Sequence, residues 1–198
     1  MNLRCRDELV SGSCLDIGGG EAPSYLGYLQ MAKGAVIRSV DNYKPRPNAT
    51  RVDLETEALP CADGSLDTAL LFNVLEHIYK HDRLIADINR SLCSGGKLIG
   101  FVPFLVGYHP DPHDYFRYTA EALAKMFEKA GFVNWKIECL GPGPFSAGLN
   151  SLLGLGRVVA LPAALVWPVA NLIDFILIAF RPNMRNRYPL GYYFVATK

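Results

Sequence analysis

The stretch that most constrains the fold lies near the N-terminus, where residues 14–25 read CLDIGGGEAPSY. A short apolar run precedes three consecutive glycines, a pattern typical of a buried parallel strand that ends in a tight turn. Glycines in such a turn let backbone N–H groups approach a bound ligand closely. The stretch therefore predicts an α/β fold with a ligand-binding turn after its first strand.

Composition narrows the class of protein. The 198 residues are enough for one domain with a substantial core. The 20 lysines and arginines are balanced by 19 acidic residues, so no basic excess points to a nucleic-acid partner. The five cysteines form no CxxC pair, which favours reduced thiols over a disulfide framework or a zinc site. The polar N-terminal segment predicts no signal peptide. We therefore expect a cytoplasmic protein without a metal site.

The periodicity of apolar residues predicts strands that alternate with helices. The predicted strands are residues 14–17, 35–40, 51–54, 68–72, 97–103, 133–139 and 191–198. The predicted helices are residues 22–33, 73–92 and 121–130. This alternation favours a largely parallel sheet with helices on both faces. In such sheets ligands bind beyond the carboxyl ends of the strands, and polar residues collect there: Asp16, Asp41, Asp53, Glu55 and Asn73.

The glycine turn also limits the kind of cofactor. Gly18 and Gly20 match the start of a dinucleotide-binding motif, but Pro23 occupies the position of its third glycine. Glu21 would put a carboxylate near a diphosphate. A cofactor with an amino-acid end for Asp16 and a ribose for Asp41 fits better, and S-adenosylmethionine has both.

Five stretches, taken together, resemble the class I S-adenosylmethionine-dependent methyltransferases, in particular the type-11 methyltransferase domain. They are LDIGGG at 15–20, RSVD at 38–41, EALPCADGSLDTALLFNVLEHI at 57–78, INRSLCSGGKLIGFVP at 88–103 and HDYFRYTAEALAKMFEKAGF at 113–132. The resemblance implies a Rossmann-like, doubly wound, mostly parallel seven-stranded sheet with an antiparallel last strand. It also implies S-adenosylmethionine as the cofactor.

The resemblance assigns the cofactor-binding residues by position. The methionine end is assigned to Asp16, Ile17, Gly18, Gly19 and Gly20, and also to Asn73. The ribose hydroxyls are assigned to Asp41, with Asn42 beside it. The adenine is assigned to Glu55, with Asp53 as the alternative and Leu54 between them. Gly19 is a departure, because the family often has cysteine or serine at this position.

The stretch after the fifth predicted strand, HPDPHDYFRYT at 109–119, concentrates polar and aromatic residues where an acceptor would lie. An oxygen nucleophile benefits from a histidine base, for which His113 is the first candidate and His109 the second. Tyr115, Arg117 and Tyr118 are predicted to bind substrate. The alternative is a structural ion pair of Arg117 with Asp114 and packed tyrosines. Residues 73–76 read NVLE instead of [ND]PP[YF], which argues against DNA adenine or glutamine as the acceptor.

Residues 158–180 form an apolar run that is long enough to span a bilayer. Pro162 and Pro168 interrupt it, and Asp174 lies inside it. The last predicted strand must rejoin the sheet on the same side, so a single crossing is excluded. We expect a helical insertion, residues 147–187, within one domain of residues 1–198. We expect the insertion to lie at a membrane surface or to form a re-entrant hairpin in the membrane. The alternative is a helical pair that covers the sheet or makes a dimer interface. The location is then cytoplasmic, or peripheral on the inner face of the membrane.

These observations predict a methyltransferase that acts on a small-molecule, glycan or lipid-linked acceptor, at oxygen. The alternative is a non-catalytic protein of the same fold that acts as a membrane-associated or oligomeric partner. The sequence leaves the acceptor and the oligomeric state open.

Overall fold

The computed structural model of the chain describes residues 1–43, 47, 49–153 and 157–198, except for the side chains of residues 153–164. The strands are β1 Leu9–Val10, β2 Ser13–Ile17, β3 Gln30–Met31, β4 Val36–Val40, β5 Leu66–Phe72, β6 Leu92–Pro103, β7 Asn134–Leu140 and β8 Gly191–Thr197. The α-helices are α1 His81–Ser91, α2 Ala120–Ala130, α3 Pro144–Leu153, α4 Arg157–Phe180 and α5 Asn183–Arg187. Short 3₁₀ helices cover Asn2–Asp7, Ser24–Gly27 and Leu75–His77.

The main sheet has the strand order β4-β2-β5-β6-β8-β7. Strands β4, β2, β5 and β6 are parallel to one another, whereas β8 is antiparallel to both β6 and β7. This arrangement confirms the predicted α/β architecture, mostly parallel with an antiparallel last strand. Strands β1 and β3 form a separate parallel pair beside the main sheet.

The sequence predicts seven strands in the sheet, and the predicted strand at residues 51–54 is not formed. In the described residues the sheet has six strands, and a single parallel bridge between Val40 and Thr50 marks where another would start. The Asp53 carboxylate explains the difference. It accepts hydrogen bonds from the Glu55 backbone N–H at 2.9 Å and the Thr56 hydroxyl at 2.8 Å, and these bonds close a turn instead of extending a strand.

Strand β5 is buried on both faces, as expected for a central parallel strand. Leu71 lies in the core beneath helices α1 and α2, with Ile85 and Phe127. Leu70 and Phe72 face the opposite core. On that side the cover is made by two of the 3₁₀ helices and the β1–β3 pair. The two layers together hold the strand ends rigidly at one edge.

The helix predicted at residues 22–33 is wrong. The 3₁₀ helix Ser24–Gly27 and strand β3 occupy this segment instead. Pairing with β1 takes the backbone groups that a helix would need, since the Gln30 N–H donates to the Glu8 carbonyl at 3.1 Å. Tyr25 anchors the segment by stacking on Phe72 at 4.2 Å between ring centroids.

The other two predicted helices are formed, one of them only in part. The helix predicted at 73–92 begins only at His81, because Asn73 adopts a left-handed φ of 53° that no helix continues through. The helix predicted at 121–130 is confirmed as α2. The Thr119 hydroxyl accepts from the Ala122 N–H at 3.2 Å, and Gly131 ends the helix with a φ of 90°.

Helices α3, α4 and α5 lie between β7 and β8, where the sequence predicts an apolar insertion. Helix α4 continues through Pro162 and Pro168. Asp174 of α4 is fully buried, and its carboxylate accepts hydrogen bonds from the N–H groups of Phe145 and Ser146 in the first turn of α3. Within the part of the chain that the structure describes, no helix meets the length and apolarity needed to cross a bilayer.

Candidate functional site

A pocket opens at the carboxyl ends of β2, β4 and β5. The turns after these three strands and the segment after β6 line it. Nine of the predicted site residues contribute to its wall, namely Gly18, Gly20, Asp41, Asn42, Asp53, Leu54, Glu55, Asn73 and His113.

The glycine turn holds two strand ends together. Gly18, with a φ of 66°, donates its N–H to the Val40 carbonyl at 2.8 Å. Gly20, with a φ of 67°, donates its N–H to Oδ2 of Asp41 at 3.0 Å. Both φ values lie in the region that favours glycine. The turn after β2 and the acid after β4 are therefore one hydrogen-bonded unit at the pocket wall.

Gly19 has a steric role that the sequence analysis does not foresee. A Cβ at this position would lie 2.4 Å from Oδ2 of Asp16 and 2.6 Å from the Tyr25 hydroxyl. Real Cβ atoms do not approach so closely. The cysteine or serine that is common here in the family does not fit this chain without a rearrangement.

Asp16 does not line the pocket. It is fully buried, and its Oδ1 accepts a hydrogen bond from the Tyr25 hydroxyl at 2.5 Å. Ile17, at the end of β2, is also buried. Asp16 therefore lies behind the turn, where it fixes Tyr25 against the sheet. Direct contact between Asp16 and a ligand in the pocket is not favoured by this arrangement.

The acids that do line the pocket are held by backbone donors. Asp41 is almost fully buried and also accepts from the Tyr43 N–H at 2.8 Å. Glu55 accepts from the N–H groups of Tyr79 and Lys80, just before helix α1. The hydrogen bonds from Thr56 and Glu55 lower the pKa of Asp53. These carboxylates are preorganised and retain further acceptor capacity.

The pocket wall is acidic. Four carboxylates line it, those of Asp41, Asp53, Glu55 and Asp111. Among the residues that the structure describes, no lysine or arginine lines it. Such a wall favours a ligand with hydroxyl groups or positive charge, and it disfavours a diphosphate.

The segment after β6 places only part of its predicted residues at the pocket. His113 contributes to the wall, together with Asp111 and Pro112. His109 and Tyr115 lie outside the lining, and Tyr115 is partly exposed to solvent. The ring of Tyr115 packs against Tyr79, with 5.4 Å between centroids.

Arg117 forms the structural ion pair with Asp114 that the sequence suggests as the alternative to substrate binding. It forms a two-pronged ion pair with Asp114, with Nη1–Oδ1 at 2.5 Å and Nη2–Oδ2 at 2.7 Å. It also donates to the carbonyls of Val106 and Gly107. The hydrogen bond from Arg117 holds the pKa of the Asp114 carboxyl well below its usual range. Arg117 therefore fastens the loop and has no donor aimed into the pocket.

Tyr118 is buried, and its hydroxyl donates to the Leu75 carbonyl at 3.2 Å. The ring of Tyr118 is enclosed by the core in this conformation, and its contact with substrate stays a prediction. Burial raises the pKa of its phenol. Its role is to hold the segment after β6 against the 3₁₀ helix Leu75–His77.

Two neighbouring residues were missed by the sequence analysis, Glu76 and His77. Glu76 is fully buried, and neither carboxylate oxygen has a hydrogen-bond partner. Burial raises the pKa of Glu76 to about 8. His77 lines the pocket. The available signal was an acid placed among Val74, Leu75 and Ile78, where an apolar residue would be ordinary.

Comparison with known proteins agrees with this architecture. The family model described as a methyltransferase domain, type 11, matches residues 15–100. No curated protein sequence matches the chain.

Solved structures are similar over almost the whole chain. Phosphoethanolamine N-methyltransferase 2 from Haemonchus contortus, in complex with phosphomonomethylethanolamine and S-adenosylhomocysteine, superposes with a TM-score of 0.60 at 16% identity. The match covers 100% of this chain and 52% of the nematode protein, so this chain spans about half its length. A methyltransferase from Archaeoglobus fulgidus gives 0.59 at 17% identity, covering 94% of this chain and 86% of that protein.

A third similar structure is named as a cyclase and not as a methyltransferase. The [4+2]-cyclase SpnF gives a TM-score of 0.59 at 17% identity, covering 100% of this chain and 79% of the cyclase. The fold alone therefore does not determine the reaction. Residues 15–100 match the family model of a methyltransferase domain, and the chain adopts the fold that these solved S-adenosylmethionine-dependent methyltransferases share.

Proposed function

We propose that the pocket binds S-adenosylmethionine and that the protein transfers its methyl group to an oxygen of a small-molecule, glycan or lipid-linked acceptor. The acidic wall of the pocket carries this proposal. S-adenosylmethionine has a sulfonium cation, an ammonium group and two ribose hydroxyls, and all of these are complementary to carboxylates. A dinucleotide carries a diphosphate that the same wall would repel.

Each group of residues has a part in this scheme. Asp41 accepts hydrogen bonds from the ribose hydroxyls, because its carboxylate faces the pocket and is fixed by Gly20 and Tyr43. Asp53 or Glu55, at the adjacent wall, accepts from the adenine amino group. Gly18, Gly20 and Asn73 border the methionine end. When bound, the cofactor supplies an electrophilic methyl group.

The acceptor lies on the side of the pocket that His77 and His113 line. His113 is the candidate base, since it lines the pocket and histidine is the side chain most often used as a general base. The remaining contribution of the protein is alignment of the acceptor with the methyl group and exclusion of water. The alternative is a non-catalytic protein of this fold. Because a cyclase has a similar fold, the fold does not establish methyl transfer, and turnover has to be tested directly.

Isothermal titration calorimetry with S-adenosylmethionine, S-adenosylhomocysteine and NAD tests the cofactor. We expect the first two to bind and NAD to bind much more weakly. Tighter binding of NAD would contradict the proposal. Release of S-adenosylhomocysteine in the presence of a panel of hydroxylated acceptors then tests methyl transfer. Binding without turnover on any member of a broad panel would favour the non-catalytic alternative.

A second proposal concerns the outer face of helix α4. We propose that this face contacts a membrane surface without crossing it. Its exposed side chains are largely apolar, and five of them recur at three- and four-residue spacing, namely Leu165, Val169, Leu172, Ile176 and Phe180. Val166 and Phe175 beside them are also exposed. Asp174 and Ala170 point to the opposite side and are buried. The helix therefore has its polar residue inside and its apolar stripe outside, the reverse of a helix in water.

The charges beside this apolar stripe favour lipid over a protein partner. Arg181, Arg185 and Arg187 are exposed directly after α4, and no acidic residue follows Asp174 in this segment. Basic residues near an anionic bilayer each contribute about 1 kcal/mol. We expect the protein to float with vesicles that contain anionic lipid and less with neutral ones. A stable dimer in light scattering with no flotation would show that a second copy covers the face.

A further inference from the structure

Glu76, His77 and His109 form a cluster next to the pocket. Oε1 of Glu76 lies 3.6 Å from Nε2 of His77 and 3.7 Å from Nε2 of His109. One ligand atom from each residue lies within 4.8 Å of the other two. The residues come from two separate segments, the 3₁₀ helix after β5 and the loop after β6. The scattered cysteines predict no metal site, but this cluster contains none of them.

Both imidazoles are oriented by backbone carbonyls. Nδ1 of His77 lies 2.5 Å from the carbonyl oxygen of His113, and Nδ1 of His109 lies 2.7 Å from that of Gly107. A carbonyl oxygen can only accept, so Nδ1 of His77 carries the proton, and Nε2 of the neutral ring is an acceptor. Nδ1 of His109 contacts both the Gly107 carbonyl and, at 3.3 Å, the donor Nη2 of Arg117, while Nε2 faces Glu76. A backbone carbonyl at Nδ1 is common in the second shell of a metal-binding histidine.

The third member is Glu76, which is fully buried, and both of its oxygens lack a hydrogen-bond partner. A buried polar group without a partner is costly, so native structures rarely keep one without a ligand. One ligand atom from each of the three residues therefore lies at the edge of the same small space.

We propose that Glu76, His77 and His109 bind a divalent transition-metal ion of the zinc class. Two imidazoles and one carboxylate are a typical donor set for Zn²⁺, Co²⁺ or Fe²⁺, whereas Mg²⁺ and Ca²⁺ prefer oxygen ligands only. Two ligand atoms at about 2.1 Å from one tetrahedral ion are about 3.4 Å apart. The observed separations of 3.6 and 3.7 Å are close to this value, whereas the two Nε2 atoms, within 4.8 Å of each other, would have to move closer together. The ring of His109 is partly exposed.

The site would be open. Three protein ligands leave at least one coordination position, as in catalytic zinc sites. His77 also lines the pocket, so the ion would form part of the wall on the acceptor side. This inference concerns metal binding and stands whether or not the protein transfers methyl groups.

Calorimetry with Zn²⁺ and absorption spectroscopy with Co²⁺ test the proposal on the intact chain. We expect one Zn²⁺ to bind with a micromolar or lower Kd, and Mg²⁺ to bind far more weakly. Glu76→Gln and His109→Ala should each weaken Zn²⁺ binding by more than tenfold. The matched control is His81→Asn, which removes the histidine in α1 and should leave the affinity within about twofold.

The Co²⁺ spectrum distinguishes metal binding at this cluster from metal binding at the cysteines. Bound Co²⁺ should give ligand-field bands without a sulfur-to-metal charge-transfer band. His109→Ala is the decisive variant if Glu76→Gln does not fold, because the His109 side chain is partly exposed. Undiminished Zn²⁺ binding in folded His109→Ala, a thiolate band with Co²⁺, or no binding by the unaltered protein would each overturn the proposal.

Discussion

The carboxylate of Asp174, in the middle of an apolar helix, lies 2.8 Å from the backbone N–H of Ser146 at the start of another helix. Asp174 also accepts from the N–H of Phe145 at 3.0 Å. The first N–H groups of a helix have no partner within it, and an acid placed there is stabilising. The single acid of residues 158–180 therefore joins α3 to α4.

This relationship leads to the first prediction. Asp174→Ala should lower the free energy of unfolding by about 1–3 kcal/mol, because two buried N–H groups lose their acceptor. Urea denaturation monitored by circular dichroism measures the change. Asp174→Asn keeps one acceptor oxygen and should lose less. Equal stability of both variants and the unaltered protein would show that α3 does not depend on this contact.

The second prediction concerns Gly19. Gly19→Ser should destabilise the turn after β2 by about 1–3 kcal/mol and weaken cofactor binding, because the added Cβ collides with Asp16 and the Tyr25 hydroxyl. Gly27→Ala is the matched control, since a Cβ there meets nothing within 4 Å. Thermal unfolding and calorimetry measure both effects. A Gly19→Ser protein that binds normally would mean that the turn can rearrange.

The third prediction concerns the ribose. Asp41→Ala should reduce affinity for S-adenosylmethionine by about 2–3 kcal/mol, or roughly 30- to 150-fold, through loss of charge-assisted hydrogen bonds. Asp41→Asn retains one oxygen for the Gly20 N–H and separates binding from local folding. Both variants need their unfolding midpoints measured alongside affinity. Unchanged affinity in folded Asp41→Ala would mean that the ribose lies elsewhere.

The fourth prediction separates catalysis from cofactor binding. His113→Ala should lower kcat on a true acceptor by about 10²- to 10⁴-fold, the usual contribution of a general base, with little change in the Kd for S-adenosylmethionine. Tyr115→Phe is the comparison for loss of a nearby polar group, since that side chain lies outside the pocket lining. Normal turnover of His113→Ala would assign this residue only to the shape of the site.

The fifth prediction is a pH dependence at the sheet edge. Arg4 donates to Glu138 of β7 through Nε at 2.7 Å and Nη2 at 3.0 Å, and this hydrogen bonding lowers the pKa of Glu138 to about 2. A lowered carboxyl pKa stabilises the fold above the unfolded value near 4.5, and this stabilisation is lost as the pH falls from there towards 2. Glu138→Gln should lose about 1–2 kcal/mol at pH 7 and little at pH 2.

The measurement for Glu138 is the free energy of unfolding in urea between pH 7 and pH 2. Glu128→Gln is the control, because Glu128 pairs with Lys125 on the exposed face of α2. Exposed pairs contribute little to stability. Similar pH profiles for the two variants would show that the contact with Arg4 has no special weight.

The sequence predicted the parallel sheet and α2 because their signals are local. Thr119 and Gly131 mark the ends of α2 by their own chemistry. The helix at 22–33 was wrong because Gln30 pairs with β1, a contact distant in sequence that no local pattern reveals. Propensity alone cannot foresee such tertiary pairing.

In the candidate site, too, the residues with local signals were predictable and those placed by tertiary packing were not. Asp41 and the glycines follow strand ends, so their position in the pocket could be inferred from the strand pattern. The burial of Asp16 behind Tyr25 and the meeting of Glu76 with His109 depend on how separate loops pack. Glu76 and His109 are far apart in the sequence, and the His109 ring is oriented by a carbonyl oxygen that a sequence does not locate.

Leu140 and Gly191 are directly paired across β7 and β8. Everything between them is, in topological terms, the loop of one β-hairpin. The entropy of closing a loop grows slowly with length, by about 0.6 kcal/mol for each doubling. Helices α3 to α5 can therefore be shortened, exchanged or replaced by a tight turn at small cost to the sheet, and the pocket at the opposite strands need not change. The fold thus allows this segment and the pocket to diverge independently of each other.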